Sequence, residues 1–467
     1  MPEKELQKSN LSTEIQELLS KMKESGELDQ YLPQAPEPTL CELLVRDYKG
    51  NIKQSNENCQ LVLQRDETFK EAIRFNEFTG QIDVVKQMPW KRLGCAFSDN
   101  DLDNIITYME VNYGLHVDKQ IERAVRVVAK QNSYHPIQDK LNALVWDGEE
   151  RLQKVLTKYF GVPKSPLAIE SLKVFMLGAI ERVFHPGCKF EYMLCLVGGQ
   201  GAGKSTFLRF LAMEDAWFTD DIRKLNDKGI HERLNGHWFV EFAEMVALLH
   251  AKFIEETKSF ISRLSDNYRT PYDKFPQDHP RQCVFAGTSN RIEFLPADKS
   301  GNRRFLPIEV DVDNAETHIL EDEAASREYF SQLWAEVMVI YKSGEYKLTL
   351  SPEMQEELRA VQKKYMPEDP MENAIMNYIA EKRPQYVCTK MLFYEALGHS
   401  PLDTMESWQS NAIGEIMNQS FKTDYRKIST HNFPQYGVQR AWVRIMAPEP
   451  EGFMSIPPEL EKELPFE

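Results

Sequence analysis

The stretch Gly198-Gly-Gln-Gly-Ala-Gly-Lys-Ser205 decides how this chain is read, and Met193-Leu-Cys-Leu-Val197 stands immediately before it. The eight residues have the form G-x-x-x-x-G-K-[ST], a loop whose chemistry is phosphate binding. Glycines at Gly198, Gly199, Gly201 and Gly203 let successive backbone N–H groups turn inward, with Gln200 and Ala202 between them. An apolar strand leads in, and Thr206-Phe-Leu-Arg-Phe-Leu211 reads as the helix that follows. The start of that helix, at Lys204, Ser205 and Thr206, adds a partial positive charge. Lys204 is expected to reach the terminal phosphates and Ser205 to ligate Mg²⁺, so the cofactors implied are ATP and Mg²⁺.

A hydrolytic site of this kind also needs an acid at the end of a neighbouring strand and a group that orients water. Gly236-His-Trp-Phe-Val-Glu241-Phe-Ala-Glu244 offers both. Glu241 is assigned to metal or water and Glu244 to polarising water, with the two roles exchangeable. The next apolar run, from Cys283, ends in Gly287-Thr-Ser-Asn290, and Asn290 is the candidate that orients the attacking water or, equally, caps a loop. Gly301-Asn-Arg303-Arg304 precedes another strand. Paired arginines there suit a finger offered to a neighbouring subunit's ATP, although such a pair taken alone is more often surface charge.

Working outward, short apolar strands alternate with helices from 190 to 345, the texture of a wound α/β sheet. The apolar spacing between 98 and 189 predicts a helical domain, with Ser98 as an N-cap. Residues 41–97 read as a small mixed α/β region, 1–40 as a flexible segment and 346–370 as a linker. Residues 371–447 have the size and element order of a winged-helix domain. Ile413, Ile416 and Met417 line its second stripe, and Lys422, Arg426, Lys427, Arg440 and Arg444 add basic density. DNA binding through phosphates and docking of a protein are both open readings of it. An acidic tail closes the chain at 448–467. The expected fold class is multidomain α/β: a P-loop core, a preceding mostly helical domain and a winged-helix-like domain at the C-terminal end.

A net charge of −16 argues only weakly against a nucleic-acid partner, because the local field decides. Much of the acid is gathered in 311–323 and in the tail, so a ring acidic outside and basic within its channel is compatible. Seven cysteines are scattered with no C-x-x-C pair, which speaks against a disulfide framework or zinc module and for reduced thiols in a cytoplasm. No apolar run approaches 18 residues, and the polar N-terminal segment lacks a signal core, so neither membrane nor export is expected.

The order of the pieces resembles the virulence-associated E family of phages and mobile elements. Those pieces are the P-loop, the Glu-x-x-Glu strand, Lys258, Tyr268-Arg-Thr-Pro-Tyr272, Thr-Ser-Asn290 and Asn-Arg-Arg304. Upstream, Asn132-Ser-Tyr-His-Pro136, Trp146-Asp-Gly148 and Pro186-Gly-Cys-Lys189 carry the likeness, which spans roughly 40–310. The family's ATPase is similar to AAA+ modules of superfamily 3 helicases. The resemblance implies that Lys204, Ser205, Glu241, Glu244, Asn290 and Arg304 keep the roles above. It also implies that 258–274 carries a DNA-touching hairpin. There Lys258, Arg269 and Lys274 are candidate phosphate contacts and Tyr268 or Tyr272 a stacking group. Arg269 is equally suited to pairing with Glu241 or Glu244. A homo-oligomeric ring, a hexamer acting on single-stranded or forked DNA with other replication proteins, is the leading expectation. An ATP-switched initiator or loader, and a triggered defence or regulatory ATPase, are the alternatives. Some relatives carry a primase-polymerase domain, but primer synthesis is not expected of this chain, because its Asp-x-Asp strings, Asp101-Leu-Asp103 and Asp311-Val-Asp313, sit at a helix start and in an acidic loop.

Overall fold

The computed structural model describes residues 20–22, 38–222, 229–243, 245, 254–269, 276–296 and 302–445, and its contacts divide the chain into Met1–Ala143 and Leu144–Glu467. The acidic tail and nearly all of 1–40 lie outside the described residues.

In the first unit, helix α1 (Asn56–Arg65) begins where the Ser55 side chain accepts from the Asn58 N–H. Strands β1 (Ile73–Asn76) and β2 (Gln81–Val84) form an antiparallel hairpin. Helix α2 (Asp99–Tyr113) opens on a capping box, with Ser98 receiving the Asp101 N–H and the Asp101 carboxylate receiving the Ser98 N–H. Helices α3 (Asp118–Gln131) and α4 (Pro136–Ala143) complete the unit. Val62, Leu63, Val84, Ile105, Met109, Ile121 and Val125 share one core. The boundary expected at 97/98 therefore falls inside a single body. The expected helical domain of 98–189 is in turn divided, because its later helices pack elsewhere.

Those later helices, α5 (Val155–Phe160) and α6 (Pro166–Phe184), open the second unit. Ser165 caps α6 and Pro166 fills its first turn, where no N–H is needed. Strand β3 (Met193–Val197) runs into helix α7 (Lys204–Leu211). Strand β4 (Phe218–Thr219) and strand β5 (Phe239–Phe242) follow, then helix α8 (Ile254–Ile261). A second hairpin, β6 (Ser265–Tyr268) with β7 (Gln277–Pro280), precedes β8 (Val284–Ser289) and β9 (Phe305–Glu309). The main sheet is wholly parallel in the order β4-β5-β8-β3-β9. All five residues of β3 are buried, as a strand covered on both faces requires. Each such side chain contributes roughly 1.5–3 kcal/mol.

Helix α9 (Glu323–Ser343) locks the layers together. Its Trp334 stacks on Trp238 with ring centres 4.8 Å apart, and both indole N–H groups are satisfied, by Leu211 O and Ala179 O. Residues 346–370 are not simply a linker. Helix α10 (Pro352–Lys363) sits on the sheet domain, its Gln362 amide donating to the carbonyls of Asn302 and Phe305 at 2.7 Å each, with Tyr365 buried beyond it.

Helix α11 (Pro370–Lys382), strand β10 (Tyr386–Cys388), a short helical segment 389–396, helix α12 (Ser407–Gln419) and the hairpin β11 (Tyr425–Phe433) and β12 (Gly437–Arg444) complete the chain. The three strands pair antiparallel in the order β10-β12-β11. Ile413, Ile416 and Met417, read as one stripe, are buried together with Ile375 and Trp442. No helix among the described residues is long and apolar enough to cross a membrane.

Candidate active site

Three sheet strands end side by side at the glycine-rich loop. Because β8 lies between β3 and β5, the tips Val197, Ser289 and Phe242 follow one another across one edge. The loop leaves that edge at Gly198, whose N–H donates to Ser289 O. A side chain at Gly198 would meet Val310 O at 2.6 Å, so the loop's departure requires glycine. Gly203 has φ +74° and starts α7 directly, a left-handed conformation that a β-carbon disfavours.

Lys204 is buried, and its ammonium donates to Gly198 O (2.8 Å), Gly199 O (2.6 Å) and Asn290 Oδ1 (3.0 Å). Burial lowers its pKa, and the Glu241 charge opposes that fall. Glu241 is fully buried on β5. Its Oε1 receives the Ser205 hydroxyl at 2.7 Å and the Thr288 hydroxyl at 2.6 Å. Its Oε2 is buried and has no partner among the described residues. Burial raises the Glu241 pKa, Asp220 adds to that, and the two hydroxyls and Lys204 work against it.

A carboxylate oxygen left without a hydrogen bond in the interior is costly unless something cationic meets it. The donor set fits a hard divalent ion, since Mg²⁺ is commonly held by one or two protein oxygens together with substrate phosphates. Among the described residues no group of three or more His, Cys, Asp or Glu could hold a metal alone. Ser205 and Glu241 offer two oxygens that could hold such an ion, and phosphates would supply others. The adjoining cavity measures about 430 Å³ and is lined by Gln200–Thr206, Ala243 and Thr288–Asn290. Its far wall is His318 and Leu320. Between them the buried Ile319 lies so close that a β-carbon on Gly203 would come within 2.8 Å of its methyl.

Lys204, Ser205, Glu241 and Asn290 thus meet at one place. Glu244 lies outside the described residues. Arg303 and Arg304 are not with them. Parallel pairing of Met193 with Phe305 and of Val197 with Glu309 puts the arginines at the opposite edge of the sheet, about 15 Å of strand away. Arg303 has 73% of its side chain exposed. Arg304 is only 17% exposed, held by Ser262 Oγ (3.1 Å) and Glu191 (3.5 Å).

The region expected to touch DNA is a true hairpin, but its residues differ in access. Lys258 is 4% exposed on α8, which removes it as a surface phosphate contact. Tyr268 stacks on His279 with centres 3.9 Å apart. Arg269 is exposed and makes no ion pair with Glu241. Tyr272 and Lys274 lie outside the described residues. Two features escape sequence reasoning. Thr288 sits inside the quoted Gly287-Thr-Ser-Asn290 string but looks like any strand threonine, and nothing in the sequence ties the acidic loop bearing His318 to the phosphate loop.

Fold and site together define an α/β protein with a glycine-rich loop at the C-terminal edge of a five-stranded parallel sheet. Residues 141–367 match the model of the virulence-associated protein E-like domain, which supports the expected likeness to that family over this segment. The match begins after Asn132–Pro136 and continues past 310 to include α9 and α10. Solved structures similar to the chain include the A form apo structure of the NrS-1 C terminal region, with a TM-score of 0.46 and 13% identity, covering 84% of this chain and 100% of that one. A second apo structure of the same region has a TM-score of 0.44 and 12% identity, covering 80% and 95%. No curated protein matches the chain in sequence.

Proposed function

We propose that the chain is an ATP-hydrolysing, ring-forming DNA helicase or translocase serving replication of a phage or mobile genetic element in a bacterial cytoplasm. The observation that carries this reading is one cluster beside a glycine-rich loop: Ser205 and Thr288 donate to one oxygen of the buried Glu241, its other oxygen has no partner among the described residues, and Lys204 donates to Asn290. Such an arrangement suits a P-loop AAA+-like core. Loop amides and Lys204 would hold the phosphates, and Ser205 and Glu241 the Mg²⁺. The metal would supply charge neutralisation for the leaving phosphate. Asn290 would orient the water that attacks the terminal phosphorus, with Glu241 or Glu244 polarising it, and ADP would leave.

The opposite-edge placement of the arginines supports a site completed by a neighbouring subunit, hence a ring. Its exposure makes Arg303 the better finger, with Arg304 holding the segment through Glu191. The β10-β12-β11 sheet with its helices supports the winged-helix-like reading of the C-terminal segment.

Lys204→Ala is expected to cut DNA-stimulated ATP hydrolysis at least about 100-fold, since it removes a charge made for the transition state. Undiminished hydrolysis would sink the proposal. Displacement of a labelled strand from forked DNA separates a motor from an ATP-switched initiator or loader, which would hydrolyse without displacing.

A further inference from the structure

We propose that the C-terminal segment holds a second nucleotide-binding site, in which Tyr394 and Tyr436 stack a base of single-stranded DNA while Lys390 takes its phosphate. A cavity of about 400 Å³ is lined by Lys390, Tyr394, Pro401, Gln435 and Tyr436. The two tyrosine rings are within 9° of parallel, with centres 6.0 Å apart. Their hydroxyls are already engaged, Tyr394 donating to Asp403 O (3.0 Å) and Tyr436 to Glu395 Oε1 (2.8 Å). That leaves ring faces and edges, rather than hydroxyls, to meet a ligand. The other Glu395 oxygen receives the Tyr378 hydroxyl at 2.5 Å, so this nearby carboxylate is hydrogen-bonded on both sides.

Rings fixed in this way offer a stacking surface at low entropic cost. Gln435 supplies one donor and one acceptor for a base edge. Tyr394 lies on a π-type turn, 392–396, a local widening frequent at functional sites. Tyr436 lies in the turn between β11 and β12. Exposed Arg426, Lys427, Arg440 and Arg444 are spread along the same hairpin. Positive charge spread over this hairpin suits a polyanionic strand better than a free mononucleotide.

The choice of DNA rests on the motor reading above, and the test separates the two. Binding of a 5′-labelled 20-mer of thymidylate to the full chain is measured by anisotropy, beside a duplex of equal length and free dTMP. Tyr394→Ala with Tyr436→Ala is expected to weaken single-strand binding about tenfold or more, Tyr394→Phe with Tyr436→Phe to restore it, and Lys390→Ala to flatten its salt dependence. Replacing thymidines by 5-iododeoxyuridine should place the photo-crosslink on Tyr394 or Tyr436. Unchanged single-strand affinity in the alanine pair, with melting temperature intact, overturns the site and leaves the motor reading standing. Equal loss for the duplex, or dTMP binding as tightly as the strand, also overturns it. Absence of any single-strand binding by the unmodified chain overturns both.

Discussion

Glu241 is where burial and chemistry conflict. Its pKa is raised in the folded chain, so the native state holds the proton more tightly than the unfolded state does. Stability from this group is complete below the unfolded value near 4.5 and is lost as pH rises through the raised folded value. Glu241→Gln removes that loss. We expect its unliganded melting temperature to match the unmodified chain at pH 4 and to exceed it at pH 7 by about 3 °C, with Mg²⁺–ATP no longer adding stability. A lower melting temperature than the unmodified chain at pH 7 would show that the carboxylate is well compensated as it stands. At this scale the sequence motifs pointed to Lys204, Ser205, Glu241 and Asn290, and the structure brings these four together. The sequence was silent at Thr288 and His318, whose importance comes only from what the fold places opposite them.

The hairpin β6–β7 is anchored by chemistry at its base. Arg281 donates to both oxygens of Asp266 at 2.6 and 2.9 Å, with both side chains buried, and its guanidinium lies 4.4 Å from the Phe260 ring centre. Removing one partner leaves a buried charge. Asp266→Ala should therefore cost about 3–5 kcal/mol in urea unfolding, whereas Asp266→Leu with Arg281→Met should recover most of that. Equal losses for the single and double variants would mean that packing, not charge pairing, holds the base. Elements were legible to the extent that their pattern is strong. Leu194, Val240 and Phe285 belong to apolar runs that read directly as strands. Helix α10 turns inward through Leu358, Gln362 and the following Tyr365, too few apolar groups among charges for periodicity to register. Periodicity also names an element but not its partner. Ile105 and Val174 both read as helix, yet one packs with the β1–β2 hairpin and the other inside the second unit.

For the whole molecule, the decisive feature is that the glycine-rich loop and the arginines occupy opposite ends of the same parallel strands. If Arg303 completes a neighbour's site, two inactive variants should rescue each other. Lys204→Ala subunits keep the arginine, and Arg303→Ala subunits keep the loop. Mixed in equal amounts they should recover up to about a quarter of unmodified ATP hydrolysis, the fraction of interfaces that combine one intact half from each. Mixtures no more active than their components would rule out sharing. The two-ended sheet also gives each chain a head and a tail. Self-association through such ends is heterologous, closing into a ring or running on as a filament, and it admits odd numbers of copies as readily as even. If the arginine is shared in this way, an isolated chain would carry two half-sites and no whole one, and turnover per molecule would climb with concentration until the circle closes.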